Sequence, residues 1–145
     1  MDLPIITYPD PILRKKNKKI KDPTDPKIKK LIFDMLDTLE ANNGLGLAAP
    51  QVGENLRLCV IKMERKTFIL INPKIVSKSL RKEVMEEGCL SFPGEFIPIK
   101  RSKKVKVHAE TKEGDKIEIE AEGMLARALQ HEIDHLDGTL FIDRK

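Results

Sequence analysis

The chain has no tryptophan, one tyrosine and five phenylalanines in 145 residues. That is too few aromatic faces for a platform on which nucleic-acid bases stack. Its two cysteines, Cys59 and Cys89, lie 30 positions apart. Two are too few for a disulfide scaffold, so each is judged by its own neighbours. No hydrophobic run approaches the roughly 20 residues of a membrane-spanning helix, so no membrane partner is expected. The segment Met1 to Pro9 has no basic stretch leading into an apolar one. No signal peptide is read there, and a cytoplasmic location is expected. Glutamine occurs only at positions 51 and 130, and histidine only at 108, 131 and 135.

What is present fits one globular domain over residues 1–145, with 40% hydrophobic and 34% charged residues. That length supports a core without disulfide help. The net charge of +4 gathers in Lys/Arg clusters at 14–21, 29–30 and 100–106. They read as a solvated surface and predict no specific nucleic-acid partner, though weak contact with RNA phosphates is compatible with them.

The first 25 residues, rich in Pro and Lys, predict an extended arm. A helix follows, with Asp25 as N-cap, Pro26 in the first turn and Asn42-Asn43-Gly44 as the stop. Ile28, Leu31, Ile32, Met35, Leu36 and Leu39 give it one apolar stripe. Residues 56–61 and 67–71 read as strands, the second closed by Asn72-Pro73. Residues 104–109 and 116–120 alternate around the turn 113–115 and predict an antiparallel hairpin with one dry face. Helical periodicity returns at Met124 and stops at Gly138. The class is α+β, with antiparallel strands around this last helix and an amphipathic helix near the N-terminus.

The last helix carries His131-Glu132-Ile133-Asp134-His135. Two histidines four apart project from one helix face, where both imidazoles reach one ion. Glu132, beside the first of them, can take a proton from metal-bound water. A third ligand is needed. A third histidine six residues after His135 would complete a common zinc-protease arrangement, but that position is Phe141. Other zinc proteases place a Glu a couple of dozen residues downstream, and the sequence runs only to Lys145. The candidates are therefore upstream: Cys59, Cys89 and His108. Cys59 sits in an apolar strand and reads as a buried inert thiol. His108 belongs to the alternating hairpin. Cys89, in Glu86-Glu87-Gly88-Cys89-Leu90-Ser91, follows a glycine at a strand end and is favoured. A Cys-His-His set leaves a fourth position open, as catalytic sites require.

A further segment, Gly44-Leu45-Gly46-Leu47-Ala48-Ala49-Pro50-Gln51, is no phosphate loop, because no Gly-Lys-Ser/Thr follows. Its small residues suit close backbone approach to a ligand, with the Gln51 amide free to hydrogen-bond a carbonyl oxygen.

Three segments, Gly44–Gln51, Glu87–Ser91 and Gln130–His135, together resemble the peptide deformylases in order and spacing, and Tyr8–Arg14 is similar to that family's opening. The resemblance implies the deformylase fold and hydrolytic removal of the N-formyl group from formyl-methionyl nascent peptides, releasing formate. It implies Cys89, His131 and His135 as metal ligands and Glu132 as the base. The ion would be ferrous iron, with zinc, nickel or cobalt able to substitute. Gln51 and the Leu90 backbone N–H would bind the oxyanion. Gly44, Leu45 and Gly46 would edge the peptide, and Met85, Met124, Arg127 and Ala128 would contribute the methionine pocket. The sequence departs from the pattern in two places. Phe96 stands where many members carry a substrate-gripping Arg, and Lys100-Arg101 stands for a Pro-Arg pair. Longer members add a C-terminal helix linked to ribosome docking, so ribosome contact here is expected to be weak.

Overall fold

The computed structural model describes residues 1–63 and 65–145. The described elements run α1 (Pro26–Ala41), β1 (Gly46–Ala48), β2 (Leu58–Met63), β3 (Lys66–Lys78), β4 (Lys82–Cys89), β5 (Phe92–Ser102), β6 (Lys104–Glu110), β7 (Lys116–Glu122) and α2 (Gly123–Leu136). Short 3₁₀ turns occupy Pro11–Arg14, Ala49–Val52 and Phe141–Arg144. Five strands form an antiparallel sheet in the order β1-β2-β3-β6-β7, and β4 and β5 pair as a separate hairpin. Helix α2 packs on the sheet with one face and meets the hairpin with another. The expected α+β arrangement is therefore present.

The apolar run in β2 has no alternation because both of its faces are covered. Leu58 and Val60 pack with Ile28, Ile32, Met35 and Leu39 of α1. Cys59 and Ile61 pack with Ala126, Leu129, Ile133 and Leu136 of α2. Each fully buried Leu or Ile side chain stabilises by about 1.5–3 kcal/mol, so this one strand anchors two layers. Helix α1 begins as its sequence indicates: the Asp25 side chain accepts from Lys27 N at 2.8 Å. In the β6–β7 hairpin Val105, Val107 and Ala109 point inward. His108 points to the wet face, 2.8 Å from Glu118, which removes it as a ligand candidate.

Two features differ from expectation. Asn72-Pro73 does not close β3. The strand runs on to Lys78, with Asn72 at φ 52° and a register shift between Ile71 and Lys74. The turn signal makes a bulge instead of an end, and the Asn72 amide uses it to hold both Ile20 N and Ile20 O at 2.8 Å. The β4–β5 hairpin was not anticipated, because its inward residues include the charged Glu87 and Arg101.

The N-terminal arm is pinned where Ile6 N donates to Gln51 O (2.7 Å), Tyr8 N to Ser91 O (2.9 Å) and Asn17 N to Leu136 O (2.8 Å). Leu13 then joins Phe92, Ile99, Leu140 and Phe141 in a small core behind the hairpin. The chain reaches that core by turning at Gly138, where φ is 76° and an added Cβ would collide with the Arg14 carbonyl. Gly138→Ala is expected to lose about 1–3 kcal/mol from combined backbone strain and collision. Gly53→Ala, at φ 90° with no atom within 4 Å of the added methyl, isolates the conformational part. It should lose less. Urea midpoints of the two variants check this, and equal losses would refute the collision.

Candidate metal centre

Helix α2 is buried on every side from Ala126 to Leu136, so its polar groups face protein. Ala126, Leu129, Ile133 and Leu136 lie against the sheet. Arg127, His131 and Asp134, spaced four and three apart, form a second stripe that meets the hairpin through hydrogen bonds. Ala128, Glu132 and His135 form a third.

Cys89, at the end of β4, meets two of these stripes. One ligand atom each from Cys89, His131 and His135 lies within 4.8 Å of the others, and Cys89 Sγ is 3.4 Å from His135 Nε2. Metal bonds of roughly 2.0–2.3 Å place tetrahedral ligands roughly 3.3–3.8 Å apart, so this donor set fits one divalent ion with small adjustment. Among the described residues this is the one such His/Cys/Asp/Glu cluster. Cys59 is not part of it; buried in β2, its thiol is pushed well up by burial and by Glu132.

The His131 ring is oriented by a residue to which the sequence reading gave no role. Glu87 Oε1 lies 2.9 Å from His131 Nδ1, which leaves Nε2 for an ion. Glu87 also receives Arg101 through Nε at 2.6 Å and Nη2 at 3.0 Å, and a hydrogen bond from Arg127 Nη1. Burial alone would raise the Glu87 carboxyl, but His131 and Arg101 outweigh it and hold it down to about 2. Burial pushes His131 down, yet Glu132, Cys89 and Glu87 together lift it to about 10. These anionic surroundings favour a cation at that place, proton or metal.

Glu132 is 4% exposed, and its Oε1 has no hydrogen-bond partner. Burial pushes its carboxyl up to about 7, with His131 and Arg101 pulling the other way. Gly46 of β1 faces it so closely that an added Cβ would lie 2.5 Å from Glu132 Oε2. Gln51 is fixed at both ends of its amide. Its Oε1 accepts from Ala48 N at 2.9 Å, while Nε2 lies 3.1 Å from Ser91 Oγ and 3.6 Å from Cys89 Sγ. Ser91, also unassigned from sequence, donates onward to Ile6 O at 2.7 Å. Gln130, the other glutamine, clamps Ser102 N and O at 3.2 and 2.9 Å and is structural.

A cleft of about 530 Å³ opens over this cluster. Gly44, Leu45, Gly46, Gln51, Cys89, Leu90, Met124, Arg127, Ala128, His131 and Glu132 line it. His135 lies below, 1% exposed, and Met85 is not part of the lining. Arg127 is no surface charge: beyond Glu87, it donates to Ile99 O at 2.9 Å and Glu83 O at 2.7 Å. Phe96 stands in the cleft wall, 66% exposed, with its ring against Gly88. A larger cavity of about 810 Å³ lies between the arm, β3 and the back of α2. None of the cluster lines it, so size does not mark the chemistry here.

Amide hydrolysis requires an acid for the carbonyl, a base for water and a donor for the oxyanion. The floor and one wall of the smaller cleft bring together a donor set that fits a divalent ion, a buried carboxylate and an amide N–H, an arrangement suited to a metal-dependent hydrolase. A sequence profile described as polypeptide deformylase matches residues 2–145, and the chain belongs to that family. It is 47% identical over 135 residues to a peptide deformylase of Dictyoglomus thermophilum, covering 93% of this chain and 87% of that one. The crystal structure of peptide deformylase from Thermotoga maritima superposes with a TM-score of 0.96 at 44% identity, covering 99% of this chain and 97% of that one. A Met-Ala-Ser-bound deformylase from Acinetobacter baumannii superposes at 0.97 with 31% identity, covering 100% and 99%. The chain is thus a hydrolase that deformylates N-formyl-methionyl peptides and uses a metal.

Gly46→Ala is expected to displace the Glu132 carboxylate without unfolding the chain, because Gly46 needs no unusual φ. Turnover should fall at least tenfold while bound metal per chain stays at the wild-type level, since a misplacement near 1 Å can cost roughly 100-fold. Unchanged turnover would mean the carboxylate has room to move.

Proposed function

We propose that Cys89, His131 and His135 hold one divalent ion, ferrous iron in the native protein, and that Glu132 carries the proton of formyl-amide hydrolysis. The observation behind this is Cys89 standing within ligand reach of both helix histidines while Glu132 Oε1 stays buried and unpaired. A thiolate with two imidazoles also suits zinc, nickel or cobalt. When bound, such an ion supplies Lewis acidity, polarising the formyl carbonyl and easing loss of a proton from water. Glu132 accepts that proton and delivers it to the departing peptide nitrogen, so water and formamide yield formate and a free amine. Gln51 Nε2, its direction set by the Ala48 N–H on Oε1, donates to the oxyanion, as does the Leu90 N–H beside Cys89. Each such donor is worth about 2.7–4 kcal/mol of barrier.

Strand β1 is the edge of its sheet, with β2 on one side only. Gly44 N is taken by Leu39 O and Leu45 O by Lys62 N, so Gly46 supplies the backbone edge for an extended peptide while Gly44 and Leu45 line its path. The methionine side chain would enter between Met124, Ala128 and the apolar stem of Arg127, with Met85 contributing from behind the wall. Residues 1–145 act as one catalytic unit on nascent chains in the cytoplasm, and ribosome contact is weak and through the Lys-rich surface. Among the described residues no helix is long and apolar enough to cross a membrane.

Protein loaded anaerobically with iron should release formate from a formyl-methionyl peptide. Absence of release with metal bound would overturn the assignment. Glu132→Ala should retain the metal yet lose roughly 100- to 10,000-fold in turnover, the usual range for general acid–base catalysis. By metal analysis, Cys89→Ser should come without bound metal and Cys59→Ser should keep it. The reverse pattern would exchange the roles of the two cysteines.

A further inference from the structure

The geometry points to Arg144 as a positioning residue for His131, acting from the C-terminal turn through a relay of buried ion pairs. This rests on His131 being a metal ligand. Arg144 donates through Nε to Asp134 Oδ2 at 3.1 Å and through Nη2 to Asp134 Oδ1 at 2.9 Å. Asp134 is 8% exposed and sits one turn beyond His131 on α2. Its Oδ2 also receives Arg101 Nη1 at 2.9 Å. The remaining donors of Arg101, Nε and Nη2, grip both oxygens of Glu87, and Glu87 holds His131 Nδ1. The order is Arg144, Asp134, Arg101, Glu87, His131, with charges alternating along it.

Arg101 is shared between two carboxylates, and Arg144 decides the sharing. With Arg144 in place, Asp134 takes a two-pronged partner and draws only one nitrogen from Arg101. Without it, a nearly buried carboxylate keeps a single contact, which is costly. The Arg101 fork is then drawn off Glu87 towards Asp134, and the His131 ring loses its fixed acceptor. Fastening of the turn is a separate matter. Arg14 grips Asp143 at 2.5 and 3.2 Å, Asp143 Oδ2 accepts from Leu140 N at 2.9 Å, and Leu140 and Phe141 are buried. The turn therefore stays docked when Arg144, whose side chain is 43% exposed, is truncated.

Cobalt(II) provides the test, through its thiolate charge-transfer and d–d absorption and through its affinity by competition with a chelator. Arg144→Ala is expected to bind Co(II) roughly tenfold more weakly, the low end of what outer-shell partners contribute, with altered d–d bands and a metal-free melting transition that is lower yet still cooperative. Arg144→Lys, which restores charge but not the fork, should recover part of the affinity. Asp134→Asn added to Arg144→Ala removes the charge that draws Arg101 away from Glu87 and should recover affinity towards the wild-type value, a non-additivity expected of residues in one network. A folded Arg144→Ala protein with wild-type Co(II) affinity and spectrum overturns the inference alone. Should that variant not fold, Arg144→Lys decides: wild-type affinity and spectrum there overturn the inference, and weakened binding with altered bands supports it. A wild-type protein with no thiolate–Co(II) band overturns the metal centre and this inference together.

Discussion

Burying the carboxylate of Glu87 costs several kcal/mol unless charged donors replace its water. The structure meets that demand with Arg101 from β5 and with Arg127 and His131 from α2. Because the donors come from separate elements, satisfying one anion also fastens the hairpin to the helix. Cys89, two residues further along β4, is thereby delivered to the histidines. The same contact assigns the Nδ1 proton of His131 and turns Nε2 towards the site. Placement of Cys89, orientation of the His131 ring and docking of the hairpin are one interaction seen from three sides.

Much of the frame was legible in the sequence because it is written in apolar periodicity and caps. Helix α1 with Asp25 and Pro26, the doubly covered β2, the β6–β7 hairpin and the helix bearing His131 and His135 all follow such signals. Cys59 and Cys89 could be told apart by their neighbours. The β4–β5 hairpin was hidden for the opposite reason, since its inward residues include charges. Lys100 and Arg101 are adjacent basic residues in the sequence, yet one is exposed and the other 5% exposed. Alternation along β5 separates them, and nothing in their composition does. Arg127 was expected in the methionine pocket; its position one turn before His131 was the available sign that it faces the hairpin. Glu87, Asp134, Ser91 and Arg144 took no role from sequence, because a paired interior charge and a solvated one are written with the same letters.

The two sides of the cleft are held in different ways. On the hairpin side, charge fixes position. On the β1 side the backbone does so, through the pairing of Gly46–Ala48 with β2 and the Ala48 N–H that orients Gln51. Donors fixed before substrate arrives need no reorganisation at the moment of reaction, which is where electrostatic catalysis gains most. Gly46 adds a steric element, since its missing side chain is the space that Glu132 occupies.

Stability alone does not account for a relay of two carboxylates and two guanidiniums under the proposed metal centre. Buried ion pairs are often matched or bettered by apolar residues of similar volume, while removal of one partner is strongly destabilising. Such a network is poor mortar. It does, however, have directional bonds at every joint, and a fork that grips both oxygens fixes a carboxylate in orientation as well as position. An apolar replacement would fill the same volume and leave the His131 ring free to turn about its Cβ bond. The proposed ligand role of His131 demands the orientation that only the charged version supplies. Through the proposed relay that demand reaches outward from Glu87 to the turn at Phe141–Arg144.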